Sequence, residues 1–213
     1  MMQPPMPARS NNRLLWGIVI TIVVLCCGGV IALTLFGLNA FKQALPLAGC
    51  AMKLERLQTA LRSYSEGHNG MTPAAATWQD DLAPELEKIK KSSRGKDDEE
   101  AARMFGIDSE PFSCTIPDQP NTGLWYNSDI AGKKLTDIKS TDTVAFFEKP
   151  ETTKNGAEPY KEVTAESPKF KMLWINQSRG WFVAPIMGEV GLIKNGKRVP
   201  INTKRSFSTT KEN

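Results

Sequence analysis

Side chains able to do chemistry are few in this chain and widely spaced. Its one histidine, His68, stands in the turn Glu66-Gly67-His68-Asn69-Gly70, so any imidazole mechanism would depend on that residue alone. A turn histidine of this kind reads more simply as an ordinary surface residue. No cluster of thiolates accompanies it, which removes the usual zinc spacings. Asp80 with Asp81, and the run Asp97-Asp98-Glu99-Glu100, offer oxygen atoms. Neither has the alternating ligands and mid-loop glycine of a calcium loop. There is no glycine loop to cradle a phosphate and no dinucleotide fingerprint. The expectation is a protein that is not an enzyme and calls for no metal or cofactor.

The four cysteines form two groups. Cys26 and Cys27 lie in an uncharged stretch and read as small apolar residues, mid-stretch being a poor place for acylation. Cys50 and Cys114 lie in the polar remainder and, outside a reducing compartment, would oxidise to a disulfide if the fold brings them together. Cys-X-X-Cys redox spacing is absent. Cys50 has a second reading, because Leu47-Ala48-Gly49-Cys50 fits the pattern at which bacterial lipoproteins are cut and lipidated. Asn39, Lys42, Gln43 and Pro46 separate that tetrapeptide from the apolar run, whereas a signal peptidase needs its site at the end of it.

From Leu14 through Phe41 no side chain is charged. A helix of roughly 28 residues could run about 40 Å, more than the ~30 Å hydrocarbon core of a bilayer. The β-branched run Ile18-Val19-Ile20-Thr21-Ile22-Val23-Val24 would form helix reluctantly in water, but in lipid every backbone group must be paired internally, which forces it. Arg9 and Arg13 precede the stretch and no acidic residue occurs before Glu55, which places the tail in the cytoplasm and the bulk of the chain outside it. A cleaved secretory signal would open in the same way with a shorter apolar region. The expected organisation is a cytoplasmic tail (1–13), a transmembrane helix (14–41), an extracytoplasmic domain (42–201) and a flexible tail (202–213) in the cell inner membrane.

Beyond the span, Cys50, Leu54, Leu57, Leu61 and Tyr64 recur at helical spacing, with Lys53, Glu55, Arg56, Gln58 and Arg62 turned away. This helix would continue the span with a kink at Pro46 and end at Gly67, Asn69 and Gly70. A second helix is predicted from Trp78 to about Lys91, capped by Thr77. Residues Ser92 to Glu100 read as a solvated charge run, and Pro111 to Asp142 as an irregular stretch tied down by Trp125, Tyr126, Leu135 and Ile138. Strands are predicted at Thr143–Phe147, Phe170–Ile175, Trp181–Ala184 and Val190–Ile193, with Asn195-Gly196 turning into Arg198–Ile201. The aromatic side chains of Trp125, Phe146, Phe147, Phe170, Trp174, Trp181 and Phe182 read as core. The fold class is α+β, a long N-terminal helix made of the span and its amphipathic continuation, packed on a small antiparallel sheet. The net charge of +4 is spread among acidic residues except near the C-terminus, which argues against a nucleic-acid partner.

A basic tail, an apolar helix, the continuation Cys50-Ala51-Met52-Lys53-Leu54-Glu55-Arg56-Leu57-Gln58-Thr59-Ala60-Leu61-Arg62-Ser63-Tyr64 and then Gly70-Met71-Thr72-Pro73-Ala74-Ala75 together resemble the type IV pilin-like, or pseudopilin-like, proteins of bacteria. Trp78–Leu86, Phe112-Ser113-Cys114, Tyr126-Asn127 and Thr143–Glu148 are similar to later landmarks of that group. The cleavage motif differs, since Leu15-Trp16 precede Gly17 and the fifth residue after it is Ile22 where the family has glutamate. Met187-Gly188-Glu189-Val190-Gly191 stands where many relatives carry Asp-Gly-His. The resemblance implies a non-enzymatic membrane protein whose partners are lipid and other membrane or pilin-like helices, acting in assembly, secretion or surface recognition. The alternative from another class is an envelope ligand-binding or sensing module, lipidated at Cys50 in one version, with the loops of Pro111–Asp142 holding the ligand.

Overall fold

The computed structural model describes residues 44–92, 102–103, 105–107, 110–115, 119–138, 142–161, 166–172, 175–194 and 197–201. The stretch 14–41, the arginines before it and the tail 202–213 lie outside the described residues, and among those described no helix is long and apolar enough to cross a membrane.

Helix α1 is described over 44–67. Of the apolar positions that spacing picked out, Cys50, Leu54, Leu57 and Leu61 are buried, with Ala51 and Ala60 beside them, and Tyr64 packs half-buried against the cluster. The three leucines are fully buried, and at about 1.5–3 kcal/mol each they make this stripe the main reason the segment stays helical. The helix stops where glycine and asparagine predicted, with Asn69 and Gly70 in the left-handed region and the Gly70 N–H returning to the Ser65 carbonyl at 2.8 Å. The chain then runs alongside 130–135: Thr72 N–H donates to the Lys133 carbonyl, and the Thr72 hydroxyl to that of Ile130.

Helix α2, Trp78–Ser92, matches its predicted span. Its cap does not, because the Thr77 hydroxyl donates to the Asp81 carboxylate and the Gln79 N–H is satisfied by Asn155 Oδ1 at 2.8 Å. A residue distant in sequence thus closes the helix start, which local pattern cannot foretell.

The main sheet runs in the order β1 (Ser113–Cys114), β2 (Thr122–Asn127), β3 (Val144–Lys149), β7 (Trp181–Pro185), β8 (Gly191–Lys194), β9 (Lys197–Pro200), every neighbour antiparallel. Strand β4 (Ala157–Glu158) pairs parallel with the far end of β2, so β1 and β4 share one edge of that strand. Lys194 pairs with Lys197, so β8 and β9 form a hairpin, while Asn195-Gly196 lie outside the described residues. The class α+β with an antiparallel sheet holds.

Two readings are corrected. The stretch Pro111–Asp142 contains β1 and β2 and two single 3-10 turns, Ser128–Ile130 and Leu135–Asp137, rather than irregular chain alone. The strand predicted at Phe170–Ile175 is the meeting point of two, β5 (Lys169–Met172) and β6 (Ile175–Ser178), which pair as a separate hairpin. One apolar cluster joins α1, α2 and the inner strands, centred on Trp78, whose ring lies 5.3 Å from Phe112, 5.7 Å from Tyr126 and 5.5 Å from Phe146. Phe146, Phe147, Trp181 and Phe182 are buried as expected.

Candidate functional site

A two-residue strand such as β1 has too few ladder bonds to hold itself in place. It is held from α1. The sulfurs of Cys50 and Cys114 stand 2.10 Å apart, at disulfide distance, across 64 residues of sequence. Three residues further along α1, Lys53 Nζ donates to the carbonyls of Ser113 at 3.0 Å and Glu110 at 3.2 Å. Spacing had turned Lys53 and Gln58 toward water, but both are buried, and Gln58 Nε2 donates to the Pro185 carbonyl at 2.6 Å. Each finds backbone acceptors at the edge of the apolar stripe, Lys53 at the start of β1 and Gln58 at the end of β7. Burial pulls the Lys53 ammonium below the usual lysine value, and the Glu110 carboxylate offsets only part of that.

Close by lies a carboxylate with no exposure at all. Glu148 receives both guanidinium nitrogens of Arg179, at 2.8 and 2.5 Å, together with the Phe182 N–H at 3.1 Å and the Thr122 hydroxyl. The guanidinium also lies over the Phe182 ring, 4.9 Å from its centre. Ligand atoms of Glu148, Cys50 and Cys114 lie within 4.8 Å of one another, a donor set a soft metal could use. Bonded to each other the sulfurs have no thiolate to give, and the carboxylate is committed to arginine.

The remaining sequence candidates separate. His68 is exposed, stacks on Tyr64 with ring centres 3.8 Å apart, and places Nδ1 2.7 Å from the carbonyl of the same residue. Asp80 meets Asn155 Nδ2 and Lys154 Nζ, each at 2.9 Å; the Asn155 bond first, and the lysine after it, hold its carboxyl below the usual range. Arg9, Arg13, Cys26, Cys27 and the run Asp97–Glu100 lie outside the described residues.

A groove of about 420 Å³ opens beside the shared edge of β2. It is rimmed by Gln79 at the start of α2, by Glu110 and Phe112 ahead of β1, by Asn121 ahead of β2, and by Thr153 and Lys154 ahead of β4. Glu110 sits at φ 47°, its carboxylate accepting from Ser113 Oγ at 2.8 Å and Asn121 Nδ2 at 3.5 Å. Gln79 is 8% exposed, and its backbone N–H donates to Asn155 Oδ1 at 2.8 Å. Phe112, Ser113 and Asn121 of this rim come from the Pro111–Asp142 stretch, while Gln79 gave no signal in sequence. A second groove of about 350 Å³ is lined by Pro120, Pro150, Pro168 and Trp181, and a smaller space of about 90 Å³ lies between α1 and α2 near Lys53 and Leu86. Elsewhere, the Tyr126 hydroxyl is enclosed by the core without a hydrogen bond; burial raises its pKa, and the nearby Thr72 hydroxyl, already donating to backbone carbonyls, opposes that only in part.

No family model, no curated protein and no solved structure matches the chain.

Proposed function

We propose that this chain is a non-enzymatic, single-pass membrane protein of the inner membrane whose pilin-like head lies outside the cytoplasm and serves assembly, secretion or surface recognition. The observation that carries the reading is α1: a helix that buries one apolar stripe in the head and follows directly, in sequence, on 28 residues without a charge. Arg9 and Arg13 give the orientation. Lipid and neighbouring membrane or pilin-like helices are its partners on this reading. The non-enzymatic part draws support from the state of the reactive groups: His68 is engaged with its own helix, Glu148 with Arg179, and Cys50 with Cys114. The cysteine pairing also favours the anchor over lipidation at Cys50, which needs a free thiol.

The test is topology. Protease added outside sealed spheroplasts should digest the head and leave a protected N-terminal fragment. Survival of the head with loss of an N-terminal tag would reverse the orientation, and full release of the chain by a carbonate wash would remove the anchor.

A further inference from the structure

We propose that Asn69 is a modification site, at which the backbone nitrogen of Gly70 closes on the Asn69 side-chain amide and converts it to an aspartyl or isoaspartyl residue, while the fold keeps the same dipeptide at Asn155-Gly156 intact. The chain carries three Asn-Gly pairs, at 69–70, 155–156 and 195–196, the last outside the described residues. Glycine obstructs such a closure least, because it has no Cβ to crowd its own nitrogen. In the step a bond forms between the Gly70 nitrogen and Asn69 Cγ, the Gly70 nitrogen gives up its proton, and the amide nitrogen leaves as ammonia. Water then opens the cyclic imide at either carbonyl, so water is the sole co-reactant and nothing is oxidised or reduced.

What separates the two described pairs is how firmly the reacting groups are held. At 155–156 each is engaged: Asn155 Oδ1 accepts from the Gln79 N–H at 2.8 Å, its Nδ2 donates to Asp80 at 2.9 Å, and the Gly156 N–H donates to the Thr153 carbonyl at 3.1 Å. The Gly156 carbonyl accepts from Trp78 Nε1 at 3.1 Å and from the Tyr126 N–H at 3.0 Å, and the Trp125 ring lies so close that a Cβ on Gly156 would stand 2.9 Å from it. Asn69 is exposed, and a Cβ on Gly70 would meet nothing within 4 Å. The attacking nitrogen is tied down by the bond from the Gly70 N–H to the Ser65 carbonyl at 2.8 Å, which belongs to the last turn of α1, where fraying opens such bonds. Both asparagines sit in the left-handed region, at φ 55° and 53°, so backbone conformation does not distinguish them; packing and hydrogen bonding do.

Conversion places a carboxylate at the C-terminal end of α1, close in sequence to Glu66, where the helix dipole opposes it. An isoaspartyl linkage also adds a carbon to the backbone just ahead of Gly70 and Thr72. The Gly70 carbonyl accepts from the Leu135 N–H at 2.9 Å and the Thr72 N–H donates to the Lys133 carbonyl at 2.9 Å, so the turn that holds 130–135 is loosened with age. Nothing in this inference depends on how the chain is anchored, so it stands or falls apart from the membrane reading.

The experiment ages the full chain in detergent micelles, in mildly alkaline buffer made with oxygen-labelled water, and follows both pairs by peptide mapping with electron-transfer fragmentation, which tells aspartyl from isoaspartyl product. Digestion in ordinary water keeps conversion during handling unlabelled. Asn69 should convert about tenfold faster than Asn155, the factor expected when several more hydrogen bonds must open before the nitrogen can attack. In urea, where neither pair is held, the two rates should converge. Asp80→Ala, which frees Asn155 Nδ2, should raise the Asn155 rate and leave that of Asn69 unchanged. Hydrogen exchange at the Thr72 and Leu135 amides should be faster in the aged chain than in the fresh one, and equal exchange would overturn the loosening. The site itself is overturned if the two asparagines convert equally in the folded chain, if Asn155 converts first, or if Asn69 converts in urea and stays intact in the folded chain.

Discussion

Lys53 and Glu148 show what a single side chain can hide. Helical periodicity set Lys53 on the wet face, and only the loop that crosses α1 at 110–113 brings two carbonyls to its ammonium. Its pKa lies below the ordinary 10.5, so an unfolded lysine still holds its proton over a range where the folded one has begun to release it. The stabilising contribution is therefore complete above 10.5 and is lost as pH falls to the folded value. Compared with Lys53→Met by urea titration, the wild-type protein should gain stability as pH rises toward 10.5; subtraction removes the opposite contribution of Tyr126, whose raised pKa makes the folded phenol keep its proton. A flat difference would show that Lys53 is not buried as described. For Glu148 the expected outcome is asymmetry. Arg179→Met should cost about 3–5 kcal/mol by leaving a buried carboxylate alone, whereas Glu148→Leu with Arg179→Met together should cost much less. Chemical denaturation of both variants measures the difference. Sequence carried Glu148 only as part of a family landmark, because a charge in a strand says nothing of its partner 31 residues away.

At the scale of elements, legibility followed how far each one depends on its own residues. The stripe of α1, the span of α2, β3, β7 and the β8–β9 hairpin were all readable, since each carries its own period or turn. Strand β2 was not: Pro120 and Asn121 before it, and Gly123 and Asn127 within it, are turn residues by composition, and it is a strand because β1, β3 and β4 pair with it. The run Phe170–Ile175 failed in the opposite way, since Lys169–Met172 and Ile175–Ser178 are two strands that only their pairing tells apart. Two predictions belong here. Closing a loop of 64 residues, the Cys50–Cys114 bond should contribute about 4 kcal/mol by the chain-entropy model, so Cys50→Ala with Cys114→Ala should lower the unfolding free energy by up to that amount. Free thiol labelling at both positions in freshly isolated, non-reduced protein would deny the bond. Asn155→Gly keeps the positive φ of 53° while deleting the cap on Gln79, and should cost about 1 kcal/mol, measurable as a lower melting temperature. No change would mean that water caps α2 equally well.

For the whole molecule, the decisive chemical question is where the chain begins in the cell. On the membrane reading proposed above, and because no acidic residue precedes Glu55, a cut after Gly17 would leave a charged amine in lipid without the partner that the resemblance assigns to pilin-like subunits, and would remove both orienting arginines. On the reading proposed above, the intact mass should correspond to a chain starting at Met1 or Met2; one starting at Ile18, with a methylated amine, would make it a processed filament subunit. The candidate groove was less legible than the fold, because its rim is assembled from four separate segments that meet only after the sheet has formed.

The two ends of the main sheet carry a further consequence. At β1, the backbone of Ser113 is already spoken for on both sides, its N–H by the Glu110 carbonyl and its C=O by Lys53. At β9, Lys197 and Arg198 place charge on the last strand, and Pro200 has no N–H to lend; the half-exposed Val199 sits between arginine and proline. A new strand arriving at either end meets an occupied backbone or a charged, donor-poor one. The sheet is self-limiting, and copies of the head that gather on a surface should do so without cross-β growth: concentrated protein should show neither thioflavin fluorescence nor a rise in infrared β signal.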